Sequence, residues 1–548
     1  MSSRDLFCIA SLLAIGTSAC STAGLPRLPP RLETARACAE WRWIGISRAG
    51  VGCPEVDGWK VSRLFAGPAL AQQEAQAYDA ETDAEQEGGR EALEDPSPEV
   101  VQELERFCVY RIEAPRKRLA DVPFPPAATA DLVRFDQDCA ALSTSADTGF
   151  DLGALSSVRE LFAEQTGARA SYTVANPTRV RLAFLDTEPT RERAPEESDP
   201  RSSQHGYTLA NVARQLVCRG GACAAQITTQ LALPMISFDA KSQSHTRADS
   251  QRGGFFGLQS DLAAAIEREV NAWRTARREG SQRHLILNLS IAWDPDLFGG
   301  LSEDRIAEMR AGTQAIYRAL RYAEDLDVLV LAAAGNKRGN PCEDEGPLLP
   351  AAWEQGVPPE ETCGTPRDKP LLYAVGGVEA DNQPLINARR KGMPRRAAYG
   401  RDAVVPDPGR ATPTATLTGS SVATAVVSGI AAVTWAVTWD SYPELSRSEL
   451  MDILDASEEE LALEADFHFG ASAPVRPKVH KLSLCSALAK ACAEHPAAPC
   501  PVALPCERRK ATPTARRADE GFVPDSCQPY LRPQPETPLC MSCGPPGP

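Results

Sequence analysis

Several things are scarce in this 548-residue chain, and each scarcity removes a class of explanation. Histidine occurs only six times, so a side chain that trades protons near neutral pH has few places to be. Basic charge is outweighed, with 58 Lys and Arg against 73 Asp and Glu and a net charge of −15. A phosphate backbone demands a basic surface, so nucleic acid is not an expected partner. The Gly-Gly pairs at 88, 253, 299 and 376 lack phosphate-loop spacing, and no internal repeat is visible. Cys540-Met541-Ser542-Cys543 has no second ligand pair, so no metal site is assigned. Beyond the N-terminus, no segment reads as apolar enough to cross a membrane.

Cysteine, by contrast, is plentiful. Seventeen would be unusual in a reducing cytosol and point to an oxidising compartment. The N-terminus agrees, because Arg4 precedes the apolar run Leu6 to Ile15, which suits a signal peptide over residues 1–19. The run ends in Gly16-Thr17-Ser18-Ala19-Cys20-Ser21, which resembles a bacterial lipoprotein processing site with Cys20 as the lipidated residue. Thr17 departs from the aliphatic residue usual there, and ordinary cleavage nearby is the alternative. Removing Cys8 and Cys20 leaves fifteen cysteines, an odd number that argues mildly against lipidation. Cys218 and Cys223 are placed to close a short loop, and Cys342 and Cys363 to bracket an insertion.

Composition divides the rest. Residues 20–165 form an N-terminal region, interrupted over about 74–99 by ten acidic residues against Arg90, which reads as a solvated linker. This region holds Cys38, Cys53, Cys108, Cys139 and a strand predicted at Phe107 to Ile112, with no visible chemistry. Residues 170–470 alternate strand and helix patterns. Residues 480–548 are a Cys- and Pro-rich tail whose cysteines could staple a small module. Leu262, Ile266, Val270 and Trp273 predict one helix behind Ser260 as a cap and ahead of Gly280 as a stop. Ile306, Met309, Ile316 and Leu320 predict another behind Ser302, and Leu371 to Val375 a further strand. The alternation predicts an α/β fold, a doubly wound and mostly parallel sheet with helices on both faces.

Chemistry concentrates at strand ends, where such sheets carry their sites. Val180 to Leu185 ends in Asp186-Thr187; Leu285 to Leu289 carries Asn288 and ends at Ser290; Val328 to Ala334 ends in Gly335-Asn336. His205 opens a predicted helix at Gln204-His205-Gly206-Tyr207. Ser421 stands at the mouth of the apolar run Val422 to Val437, which predicts a buried helix. A hydroxyl there lies beside unpaired backbone N–H groups and the positive end of the helix dipole. A serine needs an adjacent base to attack, and imidazole is the suitable one.

Phe184-Leu185-Asp186-Thr187, His205-Gly206 with Leu209-Ala210, Ala332-Ala333-Ala334-Gly335-Asn336, and Gly419-Ser420-Ser421 with Ala423-Thr424 together resemble the subtilisin-like serine proteases, over about Thr178 to Leu463. The resemblance implies a serine endopeptidase with Asp186, His205 and Ser421 as its triad and Asn336 in the oxyanion hole. It implies protein or peptide substrates, with Asn288, Ser290, Ala292, Trp293 and Gly335 in the substrate-binding part. Calcium is common in the family, yet no site is assignable here and no cofactor is expected. Family members often carry an inhibitory propeptide where the N-terminal region stands, but no residues there match one. Glu188, Tyr207, Ser420 and Ala425 depart from the family pattern, and Ala292-Trp293 replaces small glycines of the specificity pocket. The alternative is a catalytically inactive surface lipoprotein on the same fold, acting as a binding or scaffold protein. Either would sit in a bacterial cell envelope, anchored to the membrane through Cys20, or be secreted.

Overall fold

The computed structural model describes residues 38–56, 58–65, 95–112, 131–143, 146–148, 155–174, 177, 179–187, 205–219, 222–233, 256–293, 309–337, 346–355, 370–404, 416–439, 442–457, 459–467 and 477–494. The expected signal segment with Cys20, most of the acidic stretch, the Cys342–Cys363 pair and the tail beyond 494 lie outside the described residues.

In chain order the elements begin with β1 (Cys38–Ser47), β2 (Trp59–Arg63), α1 (Pro98–Glu105), β3 (Phe107–Ile112), β4 (Leu132–Ser143), β5 (Ala146–Thr148) and α2 (Leu155–Thr166). There follow β6 (Val180–Asp186), α3 (His205–Val217), β7 (Cys218–Arg219), β8 (Ala222–Cys223), β9 (Gln226–Leu231), β10 (Phe256–Leu258), α4 (Gln259–Arg278), β11 (His284–Leu289) and β12 (Ile291–Ala292). Then come α5 (Ala311–Asp325), β13 (Leu329–Ala333), β14 (Tyr373–Val378), β15 (Gly392–Met393), β16 (Arg396–Tyr399), β17 (Ala403–Val404) and β18 (Thr416–Thr418). The chain continues with α6 (Ser420–Thr438), α7 (Arg447–Ala456), β19 (Glu459–Glu464), β20 (Asp466–Phe467), β21 (Lys478–Lys481) and α8 (Leu484–Glu494).

Eight strands form one sheet in the order β19-β21-β16-β14-β13-β11-β6-β9. Every pairing in it is parallel except that of the edge strand β19. β11, β13 and β14 are buried at every position, which is why they read as unbroken apolar runs. Alternate residues serve opposite faces. Ala183 and Leu185 of β6 join the core under α4 and α5, while Leu182 and Phe184 join the one under α3, α6 and α8. The doubly wound, mostly parallel α/β sheet is therefore as the alternation predicts.

Every residue of α6 is buried. By length and composition this helix could cross a membrane, contrary to the expectation that no segment beyond the N-terminus could. Its burial among α3, α8 and the sheet explains the composition without a bilayer.

Two predicted helix starts need correction. α4 begins at Gln259, so Ser260 lies inside its first turn and the N-cap is Leu258. α5 begins at Ala311 with Arg310 as N-cap, so Met309 precedes the helix; Ser302 and Ile306 lie outside the described residues. Leucine and arginine are poor caps, since neither offers an oxygen to the first backbone N–H groups. The oxygens come from β4 instead. Asp138 accepts from the Ser260 N–H at 3.2 Å and from the Ser260 hydroxyl. Asp136, two residues earlier on the same face of the strand, accepts from the Ala311 N–H at 2.9 Å.

β4 belongs to a second, antiparallel sheet of order β10-β4-β1-β3-β2, with β12 also pairing β4. Cys38–Cys139 and Cys53–Cys108 staple it, and Cys218–Cys223 closes the β7–β8 hairpin. Ile44, Ile46, Phe107 and Val109 of this sheet share one apolar core with Leu262, Ile266 and Ile316 of α4 and α5. At the other end of the chain, β21 pairs β16 in the main sheet and α8 packs on α6.

Candidate active site

The carboxyl ends of β6, β11 and β13 bring the singled-out residues to one edge of the main sheet. Asp186 is the last residue of β6, and His205 is the first of α3. α3 stays on the sheet because Leu209, Val212, Ala213 and Leu216 form its buried stripe, with Ala213 against Gly429 of α6. His205 Nδ1 lies 2.9 and 3.0 Å from the two oxygens of Asp186. A carboxylate only accepts, so Nδ1 carries the proton and a neutral ring keeps Nε2 as its acceptor. Thr187 fixes the carboxylate, donating to Oδ1 from its N–H at 2.7 Å and from its hydroxyl at 3.1 Å.

Ser421 is the second residue of α6, behind Gly419 as N-cap. Its helix is tied to the neighbouring strand ends. The Ser420 N–H donates to Asn336 Oδ1 at 3.0 Å, and the Gly335 N–H donates to Ser420 Oγ at 3.1 Å. Gly335 has φ +97°, and a Cβ there would meet Leu348 at 2.6 Å, so only glycine fits before Asn336.

Asn288 and Ser290 serve this helix. Asn288 Nδ2 donates to Ser428 Oγ at 3.0 Å, Ser290 Oγ donates to Asn288 Oδ1 at 2.9 Å, and Ser290 Oγ also reaches the Ser421 carbonyl at 3.3 Å. Trp293 is buried, with its ring 5.8 Å from that of Trp353 and its backbone paired to Leu349. In this arrangement it is core rather than a pocket wall. Sequence reasoning missed Ser428, whose hydroxyl donates to the carbonyl four residues back in α6, as that of the motif residue Thr424 does. Its signal was present as the spacing of Ser420, Thr424 and Ser428 along one face of an apolar run.

Ser421, Asp186 and His205 are 0, 1 and 3 % exposed. The strands flanking them are not empty. β10 and β12 do not pair with each other; the end of β4 runs antiparallel to both, with Leu142 opposite Phe256 on one side and Ala292 on the other. β5 then runs antiparallel to β18, the strand that leads into Ser421, with Ala146 opposite Thr418. A surface cavity beside Arg63, Arg106, Arg318 and Arg321 includes none of these site residues. Among the described residues no cluster of three or more His, Cys, Asp or Glu could hold a metal.

The model of the subtilase family matches residues 183–471, more than half of the chain. Among solved structures, the prenylagaramide maturation protease PagA is 19 % identical, over 61 % of this chain and 98 % of that one, with a TM-score of 0.35. A variant of the protease domain of PatA is 20 % identical over 58 and 98 % of the two chains, with a TM-score of 0.37. The patellamide maturation protease PatA is 21 % identical over 57 and 96 %, with a TM-score of 0.35. A search among curated proteins finds no match. From the geometry of its strand ends and the match to the family model, the chain belongs to the subtilase family.

Proposed function

We propose that this protein is an exported serine endopeptidase that cuts peptide bonds through an acyl-enzyme on Ser421. The observation that carries the reading is the buried Asp186–His205 pair, at 2.9 Å, on the same sheet edge as the helix whose second residue is Ser421. Ser421 Oγ attacks the peptide carbonyl while His205 Nε2 takes its proton and passes it to the leaving amine. Asp186 holds the tautomer and stabilises the imidazolium. Asn336 Nδ2 and the Ser421 N–H donate to the oxyanion, and Ser420 orients that amide through Oδ1. Water then releases the acyl group by the reverse proton path. Asn288 and Ser290 act as positioning residues, holding α6 through Ser428 and the Ser421 carbonyl.

Export through the signal segment, lipidation at Cys20 and a place in the cell envelope complete the proposal. Paired cysteines in the described residues support an oxidising compartment. Fluorophosphonate labelling of the full chain, followed by peptide mapping, tests the chemistry. Label on Ser421, absent in Ser421→Ala, is the expected result; a folded chain that never labels would defeat it. Mass spectrometry of the mature N-terminus tests the anchor, and an unmodified peptide beginning beyond Cys20 would refute it.

A further inference from the structure

We propose that Leu348 fills the space a substrate side chain would need beside Ser421, so that this chain cuts only after glycine or alanine. The proposal deepens the reading of Ser421 as a peptidase nucleophile and rests on it.

An acyl group bonded to Ser421 Oγ, with its oxygen at Asn336, lies over the ends of β11 and β13. Two contacts place it there. Ser290, just past the end of β11, reaches the Ser421 carbonyl at 3.3 Å. Asn336, past the end of β13, accepts from the Ser420 N–H at 3.0 Å. The side chain of the acyl residue hangs from the carbon next to the reacting one. Selection among side chains therefore has to come from the spaces beside these strand ends. The sheet order β14-β13-β11 gives two such spaces, one on each side of β13. Both are filled by the chain itself.

Between β11 and β13 the filling is the segment 346–350. Its Leu348 N–H donates to the Ala334 carbonyl at 3.3 Å, and Leu349 exchanges backbone bonds with Trp293 at 2.9 and 3.0 Å. One short segment is thereby bonded to both strand extensions. A Cβ built on Gly335 would meet Cδ1, Cγ and Cβ of Leu348 at 2.6, 2.9 and 3.2 Å, so the leucine lies against the backbone that leads into Asn336. Leu348 is 2 % exposed, and Leu349 and Trp293 are 0 % exposed. The wedge is braced from behind. The Ala352 N–H donates to the Leu348 carbonyl at 2.9 Å, tying it to the turn Ala351–Gln355. From that turn Trp353 packs on Trp293 and Tyr317, and Glu354 pairs with Arg396 at 2.6 Å. Arg389 Nε holds the other end through the Gly346 carbonyl at 2.7 Å. Moving Leu348 aside has to disturb all of this packing. On the β14 side, the cavity beside Gly335, Asn336 and Ser420 measures about 10 Å³, with Leu385 against Gly377 and Met393 against Gly376. That is room for one water molecule at most. Among the described residues, neither space admits more than a methyl group.

The full chain is incubated with a peptide library of mixed sequence, and mass spectrometry reads the residue that precedes each cut. Glycine and alanine are expected there. On matched peptides, kcat/KM with glycine before the cut should exceed that with leucine by about 100-fold, because a few methylene groups without a pocket discriminate on that scale. Leu348→Ala removes the wedge and should raise the leucine-to-glycine ratio at least about tenfold. Leu348→Met, of similar volume, should keep the original preference. A purely structural role for Leu348 would lower both rates together and leave their ratio where it was. Should Leu348→Ala fail to fold, Leu348→Val is read in the same way, with a smaller shift. Cuts after leucine or phenylalanine as fast as after glycine in the unsubstituted chain overturn the proposal. So does a ratio that a folded Leu348→Ala chain leaves unchanged. A folded chain that cuts no member of the library defeats the peptidase reading instead, and the assignment of Leu348 falls with it.

Discussion

The two sheets of this protein are held by different forces. The main sheet is parallel, and its central strands are buried on both faces and covered by α3, α4, α5 and α6. Its cohesion is apolar, with Leu182, Phe184, Ile286 and Leu329 on one side and Leu185, Leu287 and Val330 on the other. The N-terminal sheet is antiparallel, and beside its share of apolar core it is joined to the peptidase by directional polar contacts. These are the Asp136 and Asp138 caps, the Arg42 bridges to Asp138 and Asp261, and the ion pair of Arg274 with Asp95 at 2.6 Å. Apolar packing is non-directional and spread over many side chains, whereas each polar contact rests on one or two named atoms. Such contacts can be removed one at a time by single substitutions.

Changes on the main sheet should remove chemistry and leave the fold. Ser421→Ala or His205→Ala should lower peptide hydrolysis by roughly a million-fold, as read from hydrolysis of a fluorogenic peptide by the purified chain. Asn336→Ala should cost about 100- to 1000-fold, mostly in kcat, because its donor acts on charge that appears only in the transition state. A matching loss in KM alone would remove Asn336 from the oxyanion hole.

Changes at the junction should do the reverse. Arg42→Ala leaves the buried Asp138 without its cation, at a cost of about 3–5 kcal/mol. Hydrogen exchange should show that cost as lost protection in β1 and β4, with β11 and β13 unaffected. Equal losses in both sheets would mean that they open as one unit.

Acid should pull the two sheets in opposite directions. Burial pushes the Asp138 carboxyl up to about 6, against the lowering effect of Arg42 and the Ser260 hydrogen bonds. Its contribution is therefore fully present below its unfolded value near 4 and lost as pH rises through about 6, an effect of order 2–3 kcal/mol. His284, at the start of β11, is stacked 4.0 Å from Trp435 and edge-on to Trp439. Burial, with Arg277 and Arg283 nearby, holds its imidazole well below the ordinary range. Its contribution is present above the usual value of about 6.5 and lost as pH falls. Asp138→Asn should flatten the first dependence and His284→Phe the second, as read from stability curves between pH 4 and 8. The smallest effect is expected from Ser428→Ala, which removes one partner of Asn288 and should cost about 1 kcal/mol.

The sequence announces the main sheet and not the junction, for physical reasons. β6, β11 and β13 are unbroken apolar runs that end in Asp186, Ser290 and Gly335-Asn336, so periodicity and terminal chemistry are both local. The Asp138 contact with Ser260 joins residues 122 apart and leaves no periodic trace. Its only mark is an absence, the unsuitable Leu258 and Arg310 at the helix starts, which the nearby Ser260 disguised. Ala140 to Ser143 is a short neutral run, and its pairing with β10 and β12 depends on edges more than a hundred residues further along the chain. The motif around Trp293 points to a pocket, while its packing against Trp353 depends on a segment some sixty residues on.

The most direct measurement is fluorophosphonate labelling with peptide mapping, on the full chain and on its His205→Ala variant. The account predicts label on Ser421, abolished by His205→Ala. A folded chain with an unlabelled Ser421, or one labelled equally without His205, would contradict it.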